Sequence, residues 1–473
     1  MSRIVKNYIY NVVYNIFVII VPVITAPYLT RVLGATRLGV YSYVNSVTSI
    51  ISSFILVGLS SYGSRQLAYV RDDKENLSKV FSNLMGLRLF LGLIGTAFYF
   101  VYAGMTDYQY YFVLYYIYFL GNIIDCTWLF VSVEDMKVPT LKNIMVKVAV
   151  TVGIFVFVKT KEDLWKYVFL LAAANLFGMI VAYPQLKKYV RLKLFRINSF
   201  WRNYKGAVIL FLPSLVSTIY LQMDKVMIEW LTKTTNQVSF YDQAEKIVTI
   251  PLSFITVLST VMMPRIANEF AHRNYNNIEG LLVKASRTSL ILAYPLMFGI
   301  AGIAKRFIPW YLGEEFTATA TALILLAPIV TSNTLIGISG TQFFIATGQT
   351  NTLLLSNSSA AIMNVVVNAL LIPRYGYVGA AVATLLSNYT LVVIQYAALN
   401  RQIDIRKMFY KTSRYLLSSL FMFLAVLFIG YIGNATPLTT FIQVIAGGAI
   451  YFVLLIMMKD DLFMELIRQV LKK

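Results

Sequence analysis

The sequence predicts an all-α membrane protein, and three observations lead to this prediction. The 473-residue chain is 58% hydrophobic and only 13% charged. Its mean hydropathy is +0.68. Soluble domains carry about 25% charged residues, so this composition leaves too few charges to cover a surface in water. Apolar stretches of about 20 residues, the length that crosses a bilayer as a helix, recur along the whole chain.

Roughly fourteen such stretches follow one another, and each predicts one transmembrane helix. The first begins near Asn7 and continues past Leu29, which is too long for the apolar region of a signal peptide. We therefore expect it to be retained. The other thirteen are expected to begin near Gly39, Lys79, Gln109, Thr140, Asp163, Tyr204, Val238, Ile278, Phe316, Thr352, Val378, Tyr410 and Thr436.

Basic residues predict the orientation of these helices. With a cytoplasmic N-terminus, about 29 of the 41 Lys and Arg residues fall in cytoplasmic ends and loops, and about 9 fall on the other side. An excess of Lys and Arg marks the cytoplasmic loops of membrane proteins. We therefore expect a multi-pass protein of the cell membrane with both termini in the cytoplasm.

The most basic segment, residues 185–205, follows the sixth helix and predicts a division of the chain. We expect an N-terminal lobe over 1–190, a C-terminal lobe over 191–400, and two extra helices with a cytoplasmic tail over 401–473. Three residue pairs recur about 200 positions apart: Tyr41 and Tyr241, Arg65 and Arg265, Arg88 and Arg287. An even number of helices separates the copies, so the two six-helix lobes would form a parallel pseudo-repeat around a central cavity.

Composition excludes several other functions. The single cysteine, Cys126, cannot form an internal disulfide, and the single histidine, His272, cannot supply a Cys/His metal site. No GxxxxGK[ST] phosphate loop occurs, so we expect no ATP hydrolysis. A net charge of +20 suits nucleic acid only on a water-facing domain, for which the apolar chain leaves no room. We expect no nucleic-acid partner, no metal and no cofactor.

Polar residues recur at helical spacing within the apolar stretches. Asn7, Asn11 and Asn15 stack three amides on one face of the first helix. Similar stripes follow in the second, seventh and eighth helices: Tyr41, Asn45, Thr48 and Ser52; Ser214, Thr218, Gln222 and Lys225; Asp242, Glu245, Lys246 and Thr249. Such residues can simply join helices, each hydrogen bond contributing about 0.6 kcal/mol. Four stripes at matching positions favour a hydrated cavity, with Asn11, Asn15, Asn45 and Gln222 in its lining.

Cations inside apolar stretches are the second polar feature. An Arg or Lys at the bilayer centre costs roughly 2.5 to 3.5 kcal/mol, so each needs a partner or a function. Asp242 lies one turn before Lys246, and we expect the two to pair. Arginines near helix ends can instead extend to the headgroups. We predict that six cations edge the cavity and bind an anionic headgroup: Arg31, Arg65, Arg88, Lys225, Arg265 and Arg287.

Three acids are candidates for ion coupling, namely Asp125, Asp224 and Glu245. A transporter driven by protons or sodium needs such a carboxylate in its cavity. H⁺, Na⁺ and the membrane potential all remain open as energy sources.

Sequence motifs give the chain a family resemblance. PYLTRVLGATRLGVYSYVNSV spans residues 27–47 and LVGLSSYGSRQLAYVRDD spans 56–73; shorter motifs begin at Asp125, Met223 and Phe240. On these motifs the chain resembles, nearly end to end, the Wzx-type polysaccharide flippases of the multidrug, oligosaccharidyl-lipid and polysaccharide exporter superfamily.

The resemblance implies a cavity that opens alternately to the two sides of the membrane. It implies that the substrate is an undecaprenyl-pyrophosphate-linked oligosaccharide repeat unit, which the protein would move to the outer leaflet. Membrane lipids and polysaccharide assembly proteins would be its other partners. Arg31 and Lys225 become the leading substrate-binding candidates.

Three alternatives remain. A multidrug exporter of the same superfamily would favour acids over cations in its cavity, and a lipid II flippase is a related activity. A membrane enzyme that polymerises repeat units would need a large external loop. The longest outer loop expected here is about a dozen residues, near 305–315.

Overall fold

The computed structural model describes residues 3–56, 58–193 and 200–471, and in these ranges every regular element is helical. This confirms the all-α prediction. The helices are α1 Arg3–Leu56, α2 Leu59–Tyr69, α3 Lys74–Gly104, α4 Gln109–Ile123, α5 Thr127–Ser132, α6 Lys137–Phe157, α7 Leu164–Leu186, α8 Phe200–Thr232, α9 Thr235–Ala271, α10 Tyr275–Leu312, α11 Thr319–Leu326, α12 Ile329–Ile336, α13 Thr350–Tyr375, α14 Tyr377–Leu399, α15 Ile405–Met408, α16 Thr412–Ile432, α17 Pro437–Met457 and α18 Asp461–Leu471.

The first two predicted helices are joined in α1, which covers 54 residues. At 1.5 Å per residue a straight helix of that length would be about 80 Å long, far more than a bilayer. Gly34 interrupts it with φ 74° and ψ 173°, a backbone region that only glycine occupies readily. The boundary expected near Gly39 is therefore a kink at Gly34 with no loop.

Eleven helical segments in the described ranges are long and apolar enough to span a membrane. One of them, Ile20–Tyr69, covers the kinked α1 together with α2. The long helices α8 and α9, predicted as the seventh and eighth spans, are not among the eleven. A multi-pass membrane protein is thus supported, and the number fourteen stays a prediction.

Two of the candidate spans are not continuous α-helices. Residues 124–126 separate α4 from α5 within the span Gln109–Ser132. In the span Thr319–Ile345, α11 ends before Pro328, α12 follows, and residues Gly337–Ile345 are wound as a π-helix. Pro328 lacks the N–H that would continue the helix. Residues 305–312, expected as part of an outer loop, are instead the last turns of α10.

The chain divides into two compact units, residues 1–226 and 227–473. In the first unit, α4 packs on α7, and α6 packs on both α7 and α1. In the second unit, α13 packs on α14, and α10 packs on α16. The lobe boundaries at 190/191 and 400/401, and the cavity between the lobes, stay predictions.

Candidate functional site

A buried ionic cluster in the first unit surrounds the break between α4 and α5. Arg88, on α3, is 3% exposed. Its Nε donates to the carbonyl oxygens of Asn122 at 3.2 Å and Ile123 at 3.0 Å, and its Nη2 donates to Asn122 at 2.6 Å. Its Nη1 donates to Ser60 Oγ at 2.9 Å. Arg88 therefore satisfies the carbonyls that α4 leaves unpaired at its end, where the helix dipole also favours a cation.

Asp125 stabilises the other side of the break. Its Oδ1 accepts from the backbone N–H of Thr127 at 2.8 Å and from Thr127 Oγ1 at 2.6 Å, and its Oδ2 lies 3.6 Å from Arg88 Nη2. Tyr183 donates to the Ile124 carbonyl at 2.8 Å, and Trp128 Nε1 to the Asp125 carbonyl at 2.9 Å. The backbone acceptors of residues 122–125 thus all have donors, as burial in a membrane requires. The structure brings together a predicted substrate-binding cation and a predicted coupling acid.

A second ionic cluster ties α10 of the second unit to the start of α18. Arg287 binds Asp461 through two contacts, Nη1 to Oδ2 at 3.1 Å and Nη2 to Oδ1 at 2.9 Å. Its Nη2 also lies 3.5 Å from Asp460 Oδ2 and 3.4 Å from Tyr415 OH. Asp460, fully buried, accepts from the backbone N–H of Phe463. Such a fork of parallel hydrogen bonds gives an arginine–carboxylate pair its geometry, and sequence reasoning had found neither acid.

The Arg287–Asp461 pair predicts a pH dependence for the attachment of α18. The hydrogen bond from Arg287 holds the pKa of Asp461 well below its usual value. A depressed carboxylate pKa stabilises the fold above the ordinary pKa, and this contribution is lost as pH falls through the depressed value. At pH 7, Asp461→Asn should therefore speed amide hydrogen exchange in α18. Because Asp461 is 54% exposed, we expect an effect below about 1 kcal/mol, and unchanged exchange would contradict the assignment.

The other cations predicted as substrate-binding lie apart from these clusters. Arg31 is exposed on α1, and its Nη1 donates to the Pro27 carbonyl at 2.9 Å. Arg65 is exposed on α2 with its Nε 2.9 Å from Tyr69 OH. Lys225 on α8 is 6% exposed, and Arg265 on α9 is exposed.

Of the other predicted acids, Asp224 is buried next to Lys225, and Glu245 is half-buried on α9. The expected pair of Asp242 and Lys246 is confirmed, with 2.6 Å between carboxylate and ammonium. No group of three or more His, Cys, Asp or Glu side chains in the described ranges could hold a metal ion.

Polar side chains of the second predicted helix make hydrogen bonds within the first unit. Tyr115 OH donates to Asn45 Oδ1 at 3.0 Å, and Ser46 Oγ donates to Gln222 Oε1 at 2.9 Å. The side chains of Asn11 and Asn15 lie outside the described residues. Asn45 and Gln222 thus contribute to helix packing as well as being candidates for the cavity lining.

An apolar cavity of about 520 Å³ lies in the second unit. It opens among α9, α10, α16 and α17, and Gln443 and Tyr451 are the polar side chains in its wall. Its apolar lining includes Pro251, Ile255, Ile291, Leu292, Pro295, Leu296, Ile300, Ile303, Met422, Val426, Val444 and Phe452. A lining of this kind suits hydrocarbon.

Comparison with known families decides the classification. Residues 4–270, more than half of the chain, match the family described as polysaccharide biosynthesis protein. The chain belongs to this family. The predicted resemblance to polysaccharide exporters is confirmed.

Relatives of this polysaccharide biosynthesis protein are transporters by name. A protein of Escherichia coli strain K12 assigned as an O-antigen transporter is 22% identical over 68% of the chain and 79% of its own length. A protein of Haloferax volcanii assigned as a low-salt glycan biosynthesis flippase is 27% identical over 54% of the chain and 56% of its own length.

Solved structures show which fold the family member adopts. The lipid II flippase MurJ, in an inward closed conformation, superposes with a TM-score of 0.75 at 17% identity, covering 97% of this chain and 99% of MurJ. An inward-facing multidrug resistance MATE transporter of the MOP superfamily gives 0.64 at 15% identity, covering 87% and 95%. The fold is therefore that of this exporter superfamily.

Proposed function

We propose that the protein is a flippase that moves lipid-linked oligosaccharide repeat units across the cell membrane for polysaccharide biosynthesis. The match to the polysaccharide biosynthesis family over residues 4–270 carries this proposal. The names of the relatives, an O-antigen transporter and a glycan biosynthesis flippase, agree with it. Undecaprenyl pyrophosphate is the carrier we propose, moved from the cytoplasmic to the outer leaflet by alternating access, with both termini cytoplasmic.

The two chemical halves of such a substrate have counterparts in the chain. A pyrophosphate requires cations, and Arg31 is exposed within the first apolar span. A polyprenyl tail requires an apolar surface, which the cavity among α9, α10, α16 and α17 provides. No step of this transport forms or breaks a covalent bond, so the protein needs no catalytic group. Coupling to H⁺, to Na⁺ or to the membrane potential is compatible with this cycle, and Asp125, Asp224 and Glu245 are the proposed coupling acids.

The proposal is tested with purified protein in liposomes. Fluorescent undecaprenyl-pyrophosphate oligosaccharide is placed in the membrane, and its appearance in the opposite leaflet is followed by quenching from outside. Lipid II is assayed in parallel, because the structural likeness to MurJ shows the fold alone. We expect movement of the oligosaccharide carrier at a rate well above that of lipid II and of protein-free liposomes. Equal or faster movement of lipid II would contradict the proposed substrate.

Neutralising the two leading cations should slow transport. Arg31→Gln and Lys225→Gln each remove one charge-assisted contact to a phosphate, which contributes about 1.5 to 3 kcal/mol. We therefore expect flipping rates at subsaturating substrate to fall about tenfold or more. Lys305→Gln, which removes an exposed cation near the end of α10, serves as control and should leave the rate unchanged. Wild-type rates in both variants, at normal abundance, would exclude these residues from the substrate path.

A further inference from the structure

Lys147 is a cation at the middle of a membrane span. It is the eleventh of the 21 residues of α6, so about 15 Å of helix lies on either side of it. The hydrocarbon core is about 30 Å thick. A lysine side chain is much shorter than half of that thickness and cannot reach the headgroups from this position. With α6 as a membrane span, we therefore expect the Lys147 ammonium to lie between the two headgroup regions.

A row of exposed apolar side chains on α6 lies nearly opposite Lys147. Its exposed side chains are Leu141, Met145, Val148, Val152 and Val156, which are 37% to 62% exposed. At about 100° per residue, Lys147 is about 140° away from the centre of this row. The side chain is half-buried. It consequently points into the first unit.

Neighbouring helices contact α6 on either side of Lys147. On one flank α6 packs against α7, where a Cβ on Gly153 would lie 2.7 Å from Leu170. On the other flank it packs against α1, where the rings of Tyr28 and Phe155 are 4.7 Å apart. Lys147 projects from the arc between these two contacts. Asn143, one turn earlier, shares this arc and is also half-buried.

Both side chains lack partners. Among the side chains that the structure describes, none makes a hydrogen bond or an ion pair with the Lys147 ammonium or the Asn143 amide. Thr151, the next residue on the arc, donates its hydroxyl to the Lys147 backbone carbonyl at 2.7 Å. A cation in the membrane interior is costly and marks a functional site when no partner neutralises it. An ammonium and an amide on adjacent turns together offer several hydrogen-bond donors to an oxyanion.

We infer that Lys147 and Asn143 bind the pyrophosphate of the polyprenyl carrier during its passage through the membrane. This inference rests on the proposed function and deepens it by assigning residues to the headgroup. Lys147 at mid-span and Asn143 one turn nearer the α6 N-terminus would place this contact near the middle of the α6 span. The chemistry recognised is that of a phosphate oxyanion.

Lys142 on the same helix supplies a matched control. It is also a lysine, but it is 8% exposed and directed at α7, with its Nζ 3.5 Å from Met179 Sδ. Lys142→Met and Lys147→Met thus remove the same charge, five residues apart, while keeping a similar side-chain length. Lys147 is half-buried, whereas Lys142 is buried, so Lys147 is the more accessible of the two.

Binding is measured by thermal unfolding of the purified full-length protein in detergent, with undecaprenyl pyrophosphate, undecaprenol and inorganic pyrophosphate as separate probes. For wild type we expect stabilisation by undecaprenyl pyrophosphate and none by undecaprenol. Lys147→Met should raise the half-maximal undecaprenyl pyrophosphate concentration at least about tenfold, and Asn143→Ala should raise it less. Lys147→Arg and Lys142→Met should stay within about threefold of wild type.

The inference is overturned if Lys147→Met binds undecaprenyl pyrophosphate as wild type does, or if Lys142→Met weakens binding equally. Equal stabilisation by inorganic pyrophosphate would assign the site to a free anion instead of a lipid carrier.

Flipping is then measured on the same variants. A wild type that binds the carrier but does not move it contradicts the proposed function while leaving this site standing. A wild type that binds none of the probes overturns both.

Discussion

Arg88→Met is expected to lower the free energy of unfolding by about 3 to 5 kcal/mol, the usual cost of removing one member of a buried ion pair. The substitution keeps most of the side-chain volume but leaves Asp125 without its cation. It also leaves the carbonyls of Asn122 and Ile123 without donors in a setting where water cannot replace them. Thermal or denaturant unfolding of the purified protein in detergent measures the change.

Two further variants separate the role of Arg88 from that of a general surface charge. Arg65→Met removes an exposed arginine from α2 and should change stability by less than about 0.5 kcal/mol. Arg88→Lys keeps the charge but has no planar fork, so it should recover only part of the loss. Equal stability of Arg88→Met and wild type would show that the break does not depend on this guanidinium.

Gly34→Ala is the second substitution for which we expect a large effect. The backbone at Gly34 has φ 74° and ψ 173°, and holding a residue with a Cβ there costs about 1 to 3 kcal/mol. Relief by straightening α1 would pull Tyr43 from Tyr102, to which it is hydrogen-bonded at 2.7 Å, and Thr48 from Tyr99. We expect lower thermal stability and slower flipping, both measured on the purified protein.

Gly280→Ala is the control for the alanine substitution itself. Gly280 is an exposed position inside α10, and a Cβ there would meet nothing within 4 Å. Alanine in a helix interior is favoured over glycine by roughly 0.5 to 1 kcal/mol, so this variant should be as stable as wild type or slightly more stable. If Gly34→Ala behaved in the same way, α1 would not need a glycine at its kink.

Hydropathy predicted most helices because apolar length alone distinguishes a membrane span. The expected starts at Gln109, Thr352, Val378 and Thr436 lie within two residues of the observed ones. Hydropathy could not show the break at 124–126, because the single charged residue there, Asp125, leaves the whole segment Gln109–Ser132 apolar enough to qualify as one span. Nor could it show that α1 continues through Gly34, since a kink and a short loop have the same composition.

The cations of the candidate site were predictable from the sequence, but their pairing with acids was not. Arg88, Lys225 and Arg287 are among the six cations predicted to edge the cavity, yet the acids that bind Arg287 lie more than 170 positions later in the chain. Long-range pairs of this kind follow from helix packing, which a single sequence does not reveal. Lys147 was overlooked although its signal was present: a lysine in the middle of the apolar run of α6.

Cys126, the only cysteine of the chain, lies in the break between α4 and α5 and is fully buried as a free thiol. A thiol that water does not reach reacts with alkylating reagents only when the surrounding structure opens. Cys126 is therefore a natural reporter of local opening in the unmodified protein. The rate at which Cys126 is alkylated measures how often this segment opens, and the change of that rate on adding substrate reports whether transport involves it.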